Sequence, residues 1–180
     1  MGPMFSGKST QLLSILRKHE ADGDKCLLLK HSSDTRYGST HTQLITHSQD
    51  SQPALAVPCL EEAEKQGDVA QASVVCIDEG QFYPDIVAVA DRWAQQGKHV
   101  YVAALDGTFQ REPFAVVARL ISKADTVVKL HAKCCNCGAP APFSRRLTAE
   151  QEEQVIGGAD KYIAACRTCF HLEQLQKQSL

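Results

Sequence analysis

The sequence predicts an α/β fold, a parallel sheet with helices on both faces, followed by a small metal-stapled appendage. Three observations carry that expectation. Short, nearly continuous apolar runs alternate with segments of helical periodicity up to about Leu130, the pattern of strands buried on both faces. A glycine-containing turn opens directly onto the first helical segment. Five of the eight cysteines crowd into the last quarter of the chain, where long apolar runs disappear.

Composition is consistent with such a fold and excludes several others. With 180 residues, 43% of them hydrophobic and 22% charged, the chain can bury a real core and is not disordered. Lys plus Arg number 19 against 21 Asp plus Glu, a net charge of −2, so there is no overall attraction for nucleic acid or an anionic membrane. No apolar run approaches the roughly 20 residues of a membrane helix. The opening Met1-Gly2-Pro3-Met4-Phe5-Ser6 lacks the apolar stretch of a signal peptide.

Taken in order, Gly2-Pro3-Met4-Phe5-Ser6-Gly7-Lys8-Ser9 satisfies G-x-x-x-x-G-K-[ST], a phosphate-binding loop. The glycines let backbone N–H groups face phosphate oxygens, Lys8 reaches the β- and γ-phosphates, and Ser9 binds Mg²⁺. A helix from Lys8 to about Ala21, with Leu12, Leu13, Ile15 and Leu16 on one side, adds its positive end. Such a loop normally follows a buried strand. Only Met1 precedes Gly2, so the expectation is a chain whose numbering begins late.

Cys26–Leu29 reads as the next strand, and the polar stretch 31–53 as a long flexible loop. Asp34, Thr35 and Arg36 follow that strand at the ligand-binding end of the sheet. There Arg36 can neutralise charge on a transferring phosphoryl group and Asp34 can assist Mg²⁺, or the stretch is a solvated loop. Val74–Ile77 is a strand that ends in Asp78-Glu79-Gly80-Gln81. Asp78 is placed to hold Mg²⁺ through water, and Glu79 to accept a proton from an attacking hydroxyl or water. The acidic pair serves an ATPase or a kinase equally well.

Pro84–Gln96 carries Ile86, Val87, Val89, Ala90 and Trp93 at helical spacing, with Gly97 just past its end. Val100–Ala104 is a third strand, Phe114–Ile121 a third helix, and Thr126–Val128 with Leu130 a last strand. In the connection Asp106–Arg111, Phe109, together with Phe114 beyond it, either lines a base pocket or plugs the core.

Cys134-x-x-Cys137 and Cys166-x-x-Cys169 are two knuckles able to supply four thiolates, the ligand set of a closed structural zinc site. Cys135 offers a competing register, disulfides are the alternative chemistry, and His131 and His171 read as neighbours. Cys26, Cys59 and Cys76 read as core thiols. Gly157-Gly158, inside the loop that a metal would close, is a lid element or an ordinary turn.

Together these motifs resemble the cytosolic-type (type II) thymidine kinase family. The resemblance rests on residues 2–10, Asp34-Thr35-Arg36-Tyr37, Ile77–Phe82, Ala103–Arg111, Val127–Leu130, Val155–Tyr162 and both cysteine knuckles, in family order along nearly the whole chain. It implies a RecA-like P-loop domain over residues 1–132 and a zinc-held lasso over 133–180. The activity it implies is transfer of the γ-phosphoryl of ATP to the 5′-hydroxyl of thymidine, a nucleoside salvage step.

By the same resemblance Glu79 matches the proton acceptor, and residues 2–9, 34–36 and 78–81 match the ATP site. Phe109, Glu153, Gln154, Val155, Ile156, Gly157 and Tyr162 match the nucleoside site, and Phe82, Leu105, Phe114 and Ser144 match positions lining its pocket. A cytoplasmic homotetramer, inhibited by thymidine triphosphate, is also implied. Residues 38–57 are longer and more polar than the family pattern, and Glu153 stands where the family often has an apolar residue.

Two other classes share single features. A nucleic-acid-stimulated ATPase would need a second motor domain and a basic or aromatic stacking surface, against which 180 residues, a charge of −2 and 6% aromatics argue. A zinc-stapled binding module with a dead phosphate loop is weakened because Lys8, Ser9, Asp78 and Glu79 are all intact.

Overall fold

Helix α1 spans Lys8–Ala21 as the periodicity predicts, and buries Leu12, Leu13 and Leu16 along one face. It ends at Asp22, and Gly23, with φ 89°, takes the left-handed conformation that commonly terminates a helix. A computed structural model describes residues 1–34, 43–45, 51–148 and 157–171.

After α1 come β1 (Cys26–His31), β2 (Gln43–Ile45), β3 (Ser51–Pro53), β4 (Leu55–Val57), α2 (Leu60–Lys65) and α3 (Asp68–Gln71). Then follow β5 (Val74–Ile77), a 3₁₀ turn at Gly80–Phe82, α4 (Ile86–Gln95), β6 (His99–Val102) and α5 (Ala115–Ile121). The central sheet has the order β4-β1-β5-β6 with every pairing parallel. Alternate residues face opposite layers. Leu27, Leu29, Val75 and Ile77 pack with α2, α3 and α4, whereas Cys26, Leu28, Val74 and Cys76 pack with α1. Helices therefore cover both faces, which is why these strands read as unbroken apolar runs.

Three expectations are corrected. The predicted flexible loop 31–53 contains structure: β2 and β3 pair antiparallel, with Leu44 buried against the α1 layer. The strand expected at Val100–Ala104 is shifted to His99–Val102, although Ala103 still donates its N–H to the Ile77 carbonyl at 2.8 Å.

Thr126–Leu130 is not a strand. Val127 and Val128 are 44% and 57% exposed, and among the described residues the segment's backbone bonds with Met1. Met1 donates from its N-terminus to the Val128 carbonyl at 2.8 Å and accepts from Leu130 N–H at 2.8 Å. Next to it, Gly2 N–H reaches the Ala104 carbonyl at 3.2 Å, so the loop's first residues lie between the β6 connection and this segment.

The cysteine-rich segment holds two short hairpins, β7 (Ala132–Lys133) with β8 (Pro140–Ala141), and β9 (Phe143–Arg146) with β10 (Tyr162–Ala165). Its core is small: Ala132, Cys134, Ala141, Ala164 and Cys166. Among the described residues no helix is long and apolar enough to cross a membrane.

Candidate active site

The phosphate loop closes on itself before α1 begins. Ser6 Oγ and Lys8 Nζ each donate to the Pro3 carbonyl at 2.8 Å. Gly7, at φ 80°, turns the chain into the helix, and Phe5 also holds a positive φ of 63°. Gly2 is required for a second reason: a Cβ there would stand 2.5 Å from the Leu130 carbonyl oxygen. The turn sets the loop at the positive end of a 14-residue helix, a place suited to an anion.

Strand β5 delivers the two acids beside that loop. Asp78 is 1% exposed and accepts a 2.8 Å hydrogen bond from Ser9 Oγ through Oδ2. A hydroxyl and a carboxylate brought together next to a phosphate loop are the oxygen donors that Mg²⁺ takes, so the residues present fit that ion.

Glu79, 5% exposed, adopts φ 52° and ψ 44°, a left-handed conformation rare for a side chain of this size and typical of strained functional positions. Its Oε2 accepts from Gln81 Nε2 at 2.5 Å, and Gln81 Oε1 accepts from Leu105 N–H at 2.9 Å. Glu79 is thus oriented through Gln81 by the connection that follows β6.

Gly80 is buried where the turn crosses β6. A Cβ on it would lie 2.5 Å from Val102 Cγ1 and 3.0 Å from Ile86 Cδ1. Gly80→Ala is therefore expected to destabilise the protein by about 1–3 kcal/mol through overpacking, read as a lowered Tm. An unchanged Tm would show that the turn yields freely.

The connection after β6 forms a tight loop. Thr108 Oγ1 accepts from the N–H groups of Gln110 and Glu112, both at 3.2 Å, and Thr108 N–H reaches the Glu112 carbonyl at 2.8 Å. Phe109, half-buried, lies under the Arg146 guanidinium at 3.8 Å from the ring centroid. Phe114 is 5% exposed and packs with Ala104 and Val117, while Leu105 lies at the margin of the same cluster. Phe82, half-buried, faces His31 with centroids 5.7 Å apart.

From the appendage, Ser144 Oγ accepts the Met4 N–H at 2.9 Å, tying the phosphate loop to β9. Tyr162 sits opposite Arg146 in the β9–β10 register and accepts from Arg146 Nε at 3.2 Å and Nη2 at 2.8 Å. Gly157 is half-buried, and Gly158 caps a turn in which Lys161 and Tyr162 N–H groups reach its carbonyl at 3.1 and 3.0 Å. Asp34 follows β1, its N–H bonded to the His31 carbonyl at 3.0 Å. Thr35, Arg36, Glu153, Gln154, Val155 and Ile156 lie outside the described residues.

Four sulfurs, those of Cys134, Cys137, Cys166 and Cys169, lie within 4.8 Å of one another. Cys137 Sγ and Cys166 Sγ are 3.6 Å apart. Ligand sulfurs around a tetrahedral Zn²⁺ are separated by about 3.8 Å, so the donor set fits that ion. Cys135 is exposed and outside the cluster, which decides the register, and all eight cysteines are free thiols.

The four thiols perturb one another. Burial opposes ionisation of Cys134, but backbone N–H groups of Cys166, Cys137 and Asn136 outweigh it and draw the thiol down to about 6. Its neighbours Cys166 and Cys137 push Cys169 up to about 12. Holding all four as thiolates at this separation would require a cation. Elsewhere Cys76 is a buried core thiol, pushed up to about 12 by that burial.

Two connections had no sequence signal: the Met4–Ser144 bond spans 140 positions, and Arg146 reads simply as the second of two charged residues in a row.

Comparison with known proteins adds to this geometry. The model of a family described as thymidine kinase matches residues 1–170. A thymidine kinase of Yaba monkey tumor virus is 48% identical over 170 residues, covering 94% of this chain and 91% of its own. Thymidine kinase 1 of Dictyostelium discoideum is 43% identical over 180 residues, 99% of this chain and 78% of its own. The cytosolic thymidine kinase of Homo sapiens is 47% identical over 174 residues, 94% of this chain and 70% of its own.

Proposed function

The chain belongs to the thymidine kinase family, and from that premise we propose how its residues divide the work. It is an ATP-dependent kinase that phosphorylates thymidine. Residues 1–132 hold ATP, and residues 133–180 close over the nucleoside. The observation that carries this reading is the Ser9–Asp78 hydrogen bond, which brings the phosphate loop and the acidic strand end together with Glu79 as the next residue.

Backbone N–H groups of residues 5–9 and the α1 terminus cradle the phosphates, while Lys8 moves from the Pro3 carbonyl to the β- and γ-oxygens. Ser9 and Asp78 would hold Mg²⁺, which would supply positive charge to offset that of the phosphates. Arg36, with Asp34 and Thr35 beside it, adds charge compensation at the γ-phosphate.

The nucleoside lies against Phe109 and Tyr162, with the backbone of 153–157 over it and Phe82, Leu105, Phe114 and Ser144 around the pocket. Positioning of the 5′-hydroxyl in line with the γ-phosphorus supplies most of the catalysis. As the new O–P bond forms, ADP departs with the electrons of the breaking P–O bond. The 5′-hydroxyl proton passes to the Glu79 carboxylate.

Cys134, Cys137, Cys166 and Cys169 would hold Zn²⁺, which would supply no chemistry to the reaction and would keep the lid segment in shape. From the family resemblance we take a cytoplasmic homotetramer with thymidine triphosphate as feedback inhibitor, and four of the relatives compared carry the description cytosolic.

Purified protein supplied with ATP, Mg²⁺ and labelled thymidine is expected to give thymidine monophosphate and ADP in equal amounts. ATP hydrolysis that requires DNA, with no thymidine phosphate formed, would overturn the assignment.

A further inference from the structure

Strand β9 carries two buried polar side chains on one face. Ser144 and Arg146 are two residues apart and each is 5% exposed, while Arg145 between them is more open. Ser144 reaches the phosphate loop through Met4, as described above. Arg146 reaches in two directions at once. Its guanidinium lies 3.8 Å from the Phe109 centroid and 5.3 Å from that of Tyr162, and donates twice to the Tyr162 hydroxyl.

A buried cation is costly unless its surroundings compensate, and among the described residues two aromatic rings and a phenolic oxygen contribute to that. Phe109 belongs to the loop after β6 and Tyr162 to the strand that leaves the β9–β10 loop. One planar group thus ties a wall of the α/β layer to the base of the lid.

We propose that Arg146 is a positioning residue for the nucleoside, setting the plane of the Phe109 ring and the place of the Tyr162 hydroxyl so that the two present one preformed wall to the base. The inference rests on the reading that Phe109 and Tyr162 face the nucleoside. Arg146 acts through them. A general structural anchor is not what this place lacks. The segment is already tied by the four-residue β9–β10 pairing, by the Met4–Ser144 bond and by the cysteine cluster. The arrangement also needs arginine in particular, since a lysine ammonium can neither stack flat on Phe109 nor donate from two nitrogens.

The test is steady-state kinetics on the zinc-loaded full chain carrying Arg146→Lys, Tyr162→Phe or both. Arg146→Lys is expected to raise the KM for thymidine roughly tenfold, with the KM for ATP changing less than about twofold and Tm and zinc content held. In the double variant the loss should be no larger than for Arg146→Lys alone, because one contact is removed twice.

An unchanged thymidine KM in Arg146→Lys would overturn the proposal. So would a parallel rise in both KM values with a fallen Tm, which marks a structural anchor. The unaltered chain, assayed alongside, reports on the thymidine kinase reading itself. If it phosphorylates thymidine while Arg146→Lys behaves like it, only the positioning role falls.

Discussion

Glu79→Gln is expected to lower turnover by roughly 10²–10⁴, the range that loss of a general base produces, while ATP and thymidine still bind. The substitution is nearly isosteric. A glutamine carbonyl can still accept the hydrogen bond that Gln81 Nε2 gives to Glu79 Oε2, so the side chain keeps its place. What it loses is the capacity to take a proton as the 5′-hydroxyl attacks. The left-handed backbone at Glu79 is unaffected, since both residues carry a Cβ and share its strain. Single-turnover measurement of thymidine monophosphate formation, with calorimetry of nucleotide binding, separates the two quantities. Near-normal turnover in Glu79→Gln would exclude this carboxylate as proton acceptor.

Removal of the metal from the four-cysteine cluster should have an effect as large, expressed in folding of the lid segment. Structural zinc in small domains has an apparent binding free energy of about 10–16 kcal/mol at neutral pH. The apolar cluster beside the site consists of alanines and cysteines, which bury too little area to replace that contribution.

Chelation, or Cys134→Ser, is expected to release about one zinc per chain and to abolish detectable thymidine turnover. ATP binding at the phosphate loop should weaken much less, because α1, β1 and β5 pack around their own core. Metal analysis paired with nucleotide binding reads both outcomes. A metal-free protein with normal kinetics for thymidine would refute the structural role.

Much of the nucleotide-binding half is legible in local sequence. The loop Gly2–Ser9 is written as a contiguous pattern, and α1, β1, β5 and α4 announce themselves by periodicity because each packs one helical stripe or two strand faces. The cysteine knuckles are equally plain, since metal ligation demands residue types that little else does.

The edge strand β4 and helices α2 and α3 are less visible. Leu55-Ala56-Val57 is three residues long, and α2 shows its buried side only through Leu60 and Ala63, spacings too short to carry a period. Thr126–Leu130 misleads in the opposite sense: its β-branched residues suit a strand, yet strand structure needs a ladder, and among the described residues its backbone makes two hydrogen bonds with Met1 instead of a ladder.

The sequence by itself determined the α/β class, the phosphate loop, the acidic pair and the two cysteine knuckles, because each depends on residues adjacent or periodic along the chain. Tertiary structure alone decided the strand order β4-β1-β5-β6, the meeting of Ser9 with Asp78, and the register in which Cys135 is left out. It also decided that a phosphate-loop N–H would rest on Ser144 and that Arg146 would lie between Phe109 and Tyr162. Those contacts join segments from 16 to 140 positions apart. Nothing in local propensity encodes them, since they form only when burial brings the separate layers together.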